Sequence, residues 1–181
     1  MKTIKKFLFL VALSAAFVSC DLLEVPVNDV EFETDMDLSV QENSSGVSML
    51  KVVALSKTFS KQGEVNLADI SDVKDKLDKI KSMKITKVRV SAIEFLPVGT
   101  KISGFTMSFP DLGITKTDIQ GTETEFSDII VSFTAAELTK IQDALLKDKK
   151  IKYSVGGTVS NYPVTFTIVT KYTADFKVKL L

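Results

Sequence analysis

Few side chains in this sequence can do chemistry: its 181 residues hold one cysteine, Cys20, no histidine and no tryptophan. Without imidazole the chain itself builds no Ser-His-Asp or Cys-His nucleophile and no histidine metal site. Carboxylates, hydroxyls and lysines remain. The densest carboxylate set is Asp29, Glu31, Glu33, Asp35 and Asp37. Alternate residues on one strand face stand about 6.7 Å apart, whereas a hard cation wants six or more oxygens converging at about 2.4 Å. The Gly-bearing EF-hand spacing is absent. This ladder is therefore expected to pair with a basic strand rather than to hold a metal. Opposite charges across strands are worth about 0.2–1 kcal/mol and help to choose the neighbour. Lys171, Lys177 and Lys179 on the last strand, with Lys150 and Lys152 on the strand before it, are the candidates.

The other constellations are thinner. Ser-x-x-Lys, the spacing of some acyl-transfer serines, occurs at Ser48 with Lys51 and at Ser71 with Lys74. Composition alone predicts about two such coincidences, and the companion Ser-Asp-Asn and Lys-Thr-Gly motifs are missing. Lys74 falls on a solvated face, too well hydrated to act as a base. Glu94 and Asp128 remain as acids for a glycosidase-type pair, which only the fold could bring together. Gly156 and Gly157 open no helix and precede no Lys-Ser/Thr, so they make no phosphate loop. The three tyrosines could stack on a ligand; the twelve phenylalanines are better explained as core. No catalytic residue, metal ligand or cofactor site is expected.

The elements that would position these residues are mostly strands. From 30 to 40 the even residues Val30, Phe32, Thr34, Met36, Leu38 and Val40 share one face and the acids share the other, a half-buried strand. Residues 47–59 read as a second strand after the loop 41–46. Ile70, Val73, Leu77 and Ile80 follow i, i+3, i+7, i+10, which predicts an amphipathic helix with Asp and Lys outside it. Residues 83–95 read as a strand with a bulge between Ile85 and Val88. Phe105, Met107 and Phe109 mark another, ended by Pro110-Asp111-Leu112-Gly113; shorter ones follow at 114–119 and 126–133. Thr134 and Glu137 form a capping box before Leu138, Ile141 and Leu145, a second helix. The C-terminal part alternates most strongly. Ile151, Tyr153, Val155, Gly157 and Val159 share one face, and from Val164 to Leu180 every even residue is apolar except Thr170. This predicts a long hairpin joined at 160–163. Its second strand, about 56 Å long, should bend or serve two sheets, with Gly156 and Gly157 letting the partner bend. Helix, lysine-rich turn and strand recur at about 70–90 and 134–155, which raises a duplicated ββαββ unit.

The place of Cys20 explains its solitude. Lys2, Lys5 and Lys6 precede an apolar run from Phe7 to Val18, broken only by Ser14. About 12 residues make about 18 Å of helix, too short for a bilayer core of about 30 Å. A basic start, a short apolar run and the small Ser19 are the parts of a secretory signal. The end of this segment, Phe17-Val18-Ser19-Cys20, resembles the lipobox of bacterial lipoproteins, although Phe17 and Ser19 stand where Leu and Gly or Ala are commonest. The resemblance implies cleavage after Ser19, acylation of Cys20 and export. A thiol consumed by lipid is also no liability in an oxidising compartment. Several acyl chains, at about 0.8 kcal/mol per buried methylene, would anchor the protein stably. Asp21 looks like the inner-membrane retention residue of some enteric bacteria. That rule is not general, and the outer membrane is the expected location. The sequon Asn43-Ser44-Ser45 means little in a bacterial chain.

These readings divide the chain into a signal peptide (1–19), a lipidated N-terminus and tether (20–29) and one globular domain (30–181). The mature chain carries net charge −3, which does not suit a nucleic-acid surface. The expected fold is α+β and mainly antiparallel: a β-sandwich or half-open barrel of about seven or eight strands with two amphipathic helices. The expected function is a non-catalytic interaction or assembly module, held at the cell envelope by lipid and meeting an envelope protein partner. The alternative is a carrier or sensor with an apolar cavity; an enzyme using carboxylates or Ser/Lys is the third class.

Overall fold

Alternating burial builds two antiparallel sheets. The structure is a computed structural model that describes residues 24–41, 56–119 and 121–179. Its elements are β1 (Glu24–Val40), β2 (Lys57–Asn66), β3 (Ile80–Leu96), β4 (Ile102–Phe109), β5 (Ile114–Lys116), β6 (Phe126–Ile130), α1 (Ala135–Asp148), β7 (Lys150–Val159) and β8 (Val164–Lys179). One sheet runs β1-β8-β3-β6 and the other β2-β7-β4-β5. Together they make a sandwich.

Rings rivet the layers. Phe59 of β2 meets Phe166 of β8 edge-on at 5.1 Å, and Phe105 of β4 meets Phe126 of β6 edge-on at 5.5 Å. In β1, Val30, Met36, Leu38 and Val40 are buried while the acids of the ladder face out. The bulge in β3 falls between Ile85 and Lys87, where the Thr86 hydroxyl donates to the Thr173 carbonyl. Gly113 ends the short turn after β4 at φ 65°, a conformation that glycine adopts without a Cβ clash.

Three expectations are corrected. β1 begins at Glu24, inside the stretch read as tether. The predicted hairpin is not one: β7 lies in one sheet between β2 and β4, and β8 lies wholly in the other between β1 and β3. The turn at 160–163, with a cis Tyr162-Pro163 bond, carries the chain across the sandwich. Both edges of β7 and β8 are already occupied, so they have none left for each other. Finally, the helix predicted at 70–81 forms only 3-10 turns, at Leu67–Asp69 and Lys74–Lys79, with non-helical backbone at Lys76. Its apolar stripe is still used. Ile70, Val73 and Ile80 are buried and Leu77 packs against the core. Ile70 and Val73 bracket the turn between the two 3-10 segments, Leu77 lies in the second, and Ile80 opens β3. Of the strand read at 47–59, residues 47–55 lie outside the described residues; β2 begins at Lys57 and runs on to Asn66.

The strand order has an internal two-fold. Replacing each of β1 to β4 by β5 to β8, and the reverse, converts one sheet order into the other. The same exchange carries the Phe59 and Phe166 rivet onto that of Phe126 and Phe105. It also places the 3-10 segment after β2 opposite α1 after β6. The suspected ββαββ repeat therefore has a counterpart in the topology.

Candidate functional site

The acidic ladder does lie beside a basic strand. β1 pairs antiparallel with β8, Glu33 opposite Lys171 and Glu24 opposite Lys179. Lys171 Nζ stands 3.6 Å from Glu33. Glu31 is held instead by Arg89 of β3, 2.5 Å away, which reaches across β8. Arg89 also approaches Asp128 of β6 at 3.8 Å, so one guanidinium ties β1 and β6 to β3 across the sheet. Asp37 accepts from the Thr167 hydroxyl, and a side-chain oxygen of Asp175 accepts the Asp29 N–H. Lys150 and Lys152 do not join the ladder. They belong to the other sheet, where Lys152 is opposite Glu64 and Lys150 lies 3.5 Å from it. Among the described residues no group of three or more acidic, Cys or His side chains gathers to hold an ion.

A cleft opens where the ladder meets the sandwich edge. Phe32 and Thr34 point inward from β1 yet stay half-buried, because the opposing layer there is only the end of β2 and the turn after it. Asn66 turns the chain by accepting the Ala68 N–H. The resulting hollow of about 380 Å³ is lined by Glu31, Glu33, Asn66, Asp69, Ser71 and Lys171, with Phe32, Val65 and Ile70 as apolar walls. Behind it lies a polar patch inside the core. Phe32 stacks on Tyr172 at 5.2 Å, and Thr34 hydrogen-bonds the Tyr153 hydroxyl. Burial pushes the hydroxyl of Tyr153 up and that of Tyr172 well above its ordinary range, so both stay neutral. The Tyr172 hydroxyl and Thr170 Oγ1 are buried without a hydrogen-bond partner in the structure. Thr170 was visible in the sequence as the one polar residue on the inward side of β8. Arg89 was not, because no periodicity says which strand lies two places away.

The remaining candidates are dispersed. Ser71 sits on the rim of the cleft, and Lys74 starts the second 3-10 turn, exposed. Glu94 and Asp128 occupy left-handed positions at φ 61° and 53° in irregular strand segments, and Asp128 is engaged by Arg89. Gly156 and Gly157 accept the close approach of β2, with the Phe59 ring packed over Gly157. Cys20, Ser48, Lys51 and the sequon at 43–45 lie outside the described residues. A further hollow of about 560 Å³ between α1 and β7 mixes Lys140, Lys147, Lys150 and Lys152 with Asp111 and Asp143. Among the described residues no helix is long and apolar enough to cross a membrane.

No protein family matches the chain, and no curated protein does. A solved structure from Desmodium yellow mottle tymovirus is similar over 88% of each chain, at 10% identity and a TM-score of 0.26. A likeness that loose carries no argument.

Proposed function

We propose that this chain is a bacterial cell-envelope lipoprotein whose β-sandwich serves as a non-catalytic interaction module. Residues 1–19 are removed, Cys20 is acylated, and the membrane partner is reached through that lipid. One observation carries the reading: the sole cysteine of the chain stands where a basic start and a short apolar run end. The sandwich suits a binding role by its surface. β1 is a 17-residue edge strand rich in carboxylates, and Leu96 and Val98 are 66% and 84% exposed at the far turn. Large exposed apolar residues close together mark contact sites. A protein partner in the envelope, with the outer membrane as the location, completes the proposal. The alternative, a carrier or sensor of a small ligand, draws on the cleft beside β1, of which Phe32 is the single phenylalanine wall.

Replacing the thiol tests the reading. Cys20→Ala, expressed in a bacterial host, is expected to move from the detergent-soluble membrane fraction to the aqueous one and to keep its leader. Unchanged membrane association of Cys20→Ala would overturn it.

A further inference from the structure

The short distance between Cys20 and the first strand has a geometric consequence. β1 begins at Glu24, so four residue steps separate the anchor from a strand of the sandwich. Fully extended, four residues reach at most about 14 Å. The end of the sandwich that carries Glu24 is thus kept close to whatever holds Cys20. Strand register says what else lies on that rim. Glu24 is opposite Lys179, Pro26 is opposite Lys177, and β3 begins there with Ile80 opposite Val178. The rim segments 24–29, 79–84 and 175–179 carry five lysines, Lys79, Lys81, Lys84, Lys177 and Lys179, against three carboxylates, Glu24, Asp29 and Asp175. This excess of +2 stands in a mature chain of net charge −3. The turn with Leu96 and Val98 lies at the opposite end of β3, which at about 3.4 Å per residue is up to about 55 Å away.

We infer that this lysine rim is a lipid-headgroup surface. The sandwich stands on the membrane by the end where β1 starts, and residues 96–99 point away from the bilayer. The inference rests on acylation of Cys20. Its partner is an anionic phospholipid surface, because acyl chains supply the anchor and clustered lysines supply a second, electrostatic hold.

The full-length acylated protein provides the test. With Cys20 consumed by lipid, Lys81→Cys and Val98→Cys each give one free thiol for a nitroxide label; both sites are exposed. The labelled proteins are bound to vesicles of phosphatidylethanolamine and phosphatidylglycerol containing a nickel-chelating lipid. The label at 81 is expected to relax at least several-fold faster than the label at 98. Exchanging phosphatidylglycerol for phosphatidylcholine is expected to cut the effect at 81 by at least half. Equal relaxation at both sites, or faster relaxation at 98, overturns the orientation while acylation stands. Relaxation at 81 that ignores lipid charge overturns the headgroup contact. Protein that stays off the vesicles refutes the acylated-anchor reading beneath both.

Discussion

The two halves of the sandwich perform the same manoeuvre with different materials. Each crosses from one sheet to the other through a helical connection, 67–79 in the first half and α1 in the second. In the second half the crossing is a capped α-helix. Thr134 caps α1 by accepting the Glu137 N–H, and Glu137 returns a carboxylate to the Thr134 N–H. Lys116 binds Glu137 at 2.6 Å and lies over the Phe133 ring, which packs on Phe109. In the first half Asn66 caps a single 3-10 turn, the chain kinks at Lys76, and the cleft beside β1 stays open. Composition accounts for much of the contrast. α1 contains Ala135, Ala136, Ala144 and three leucines, whereas 67–79 contains four aspartates, a serine and Val73. Alanine and leucine favour helix; aspartate, serine and valine each give up a few tenths of a kcal/mol.

The largest expected effects test whether the halves share the load of the core. Phe105→Ala and Phe166→Ala are each expected to cost about 3–5 kcal/mol in urea unfolding. A cost at one site only would break the equivalence of the two rivets. Gly63 sits where β2 passes the polar patch; a Cβ there would fall 2.8 Å from Met36 Sδ and 2.9 Å from the Tyr153 ring. Gly63→Ala should therefore lose about 1–3 kcal/mol through overpacking, and an unchanged unfolding midpoint would mean that the cleft side yields freely. Thr134→Ala should cost about 1 kcal/mol. Asn66→Ala should cost less, since one turn depends on it; an equal loss would sharpen the first crossing into a true helix equivalent.

The smallest effect is a pH dependence. The Lys116 ammonium, then the Thr134 N–H, hold the Glu137 carboxyl at about 2 against an ordinary 4.5. The unfolded chain thus takes up this proton before the folded one. The stabilisation is complete above pH 4.5 and is lost as pH falls toward 2. Wild type should lose stability more steeply than Glu137→Gln across that window, and parallel curves would contradict the cap.

Period and capping were readable in the residues; partnership across sheets was not. The alternation of 30–40, the bulge after Ile85 and the Thr134 box each depend on neighbours a few positions away, and all three are present. The β8 lysine that meets the ladder was also legible, because charge selects charge. Parity tells which face a residue takes but not which sheet its strand joins, so β7 and β8 read as a hairpin. Likewise, the stripe from Ile70 to Ile80 fits a turn, one short 3-10 segment and the start of a strand as well as one α-helix. The cleft was invisible because it arises where one layer falls short of the other.

The central claim concerns Cys20, and the mass of the mature N-terminus tests it most directly. Protein extracted from bacterial membranes should yield a first peptide that begins at Cys20 and is heavier than its sequence by the mass of attached acyl chains. A peptide with an unmodified thiol, or one that still contains residues 1–19, would contradict the account.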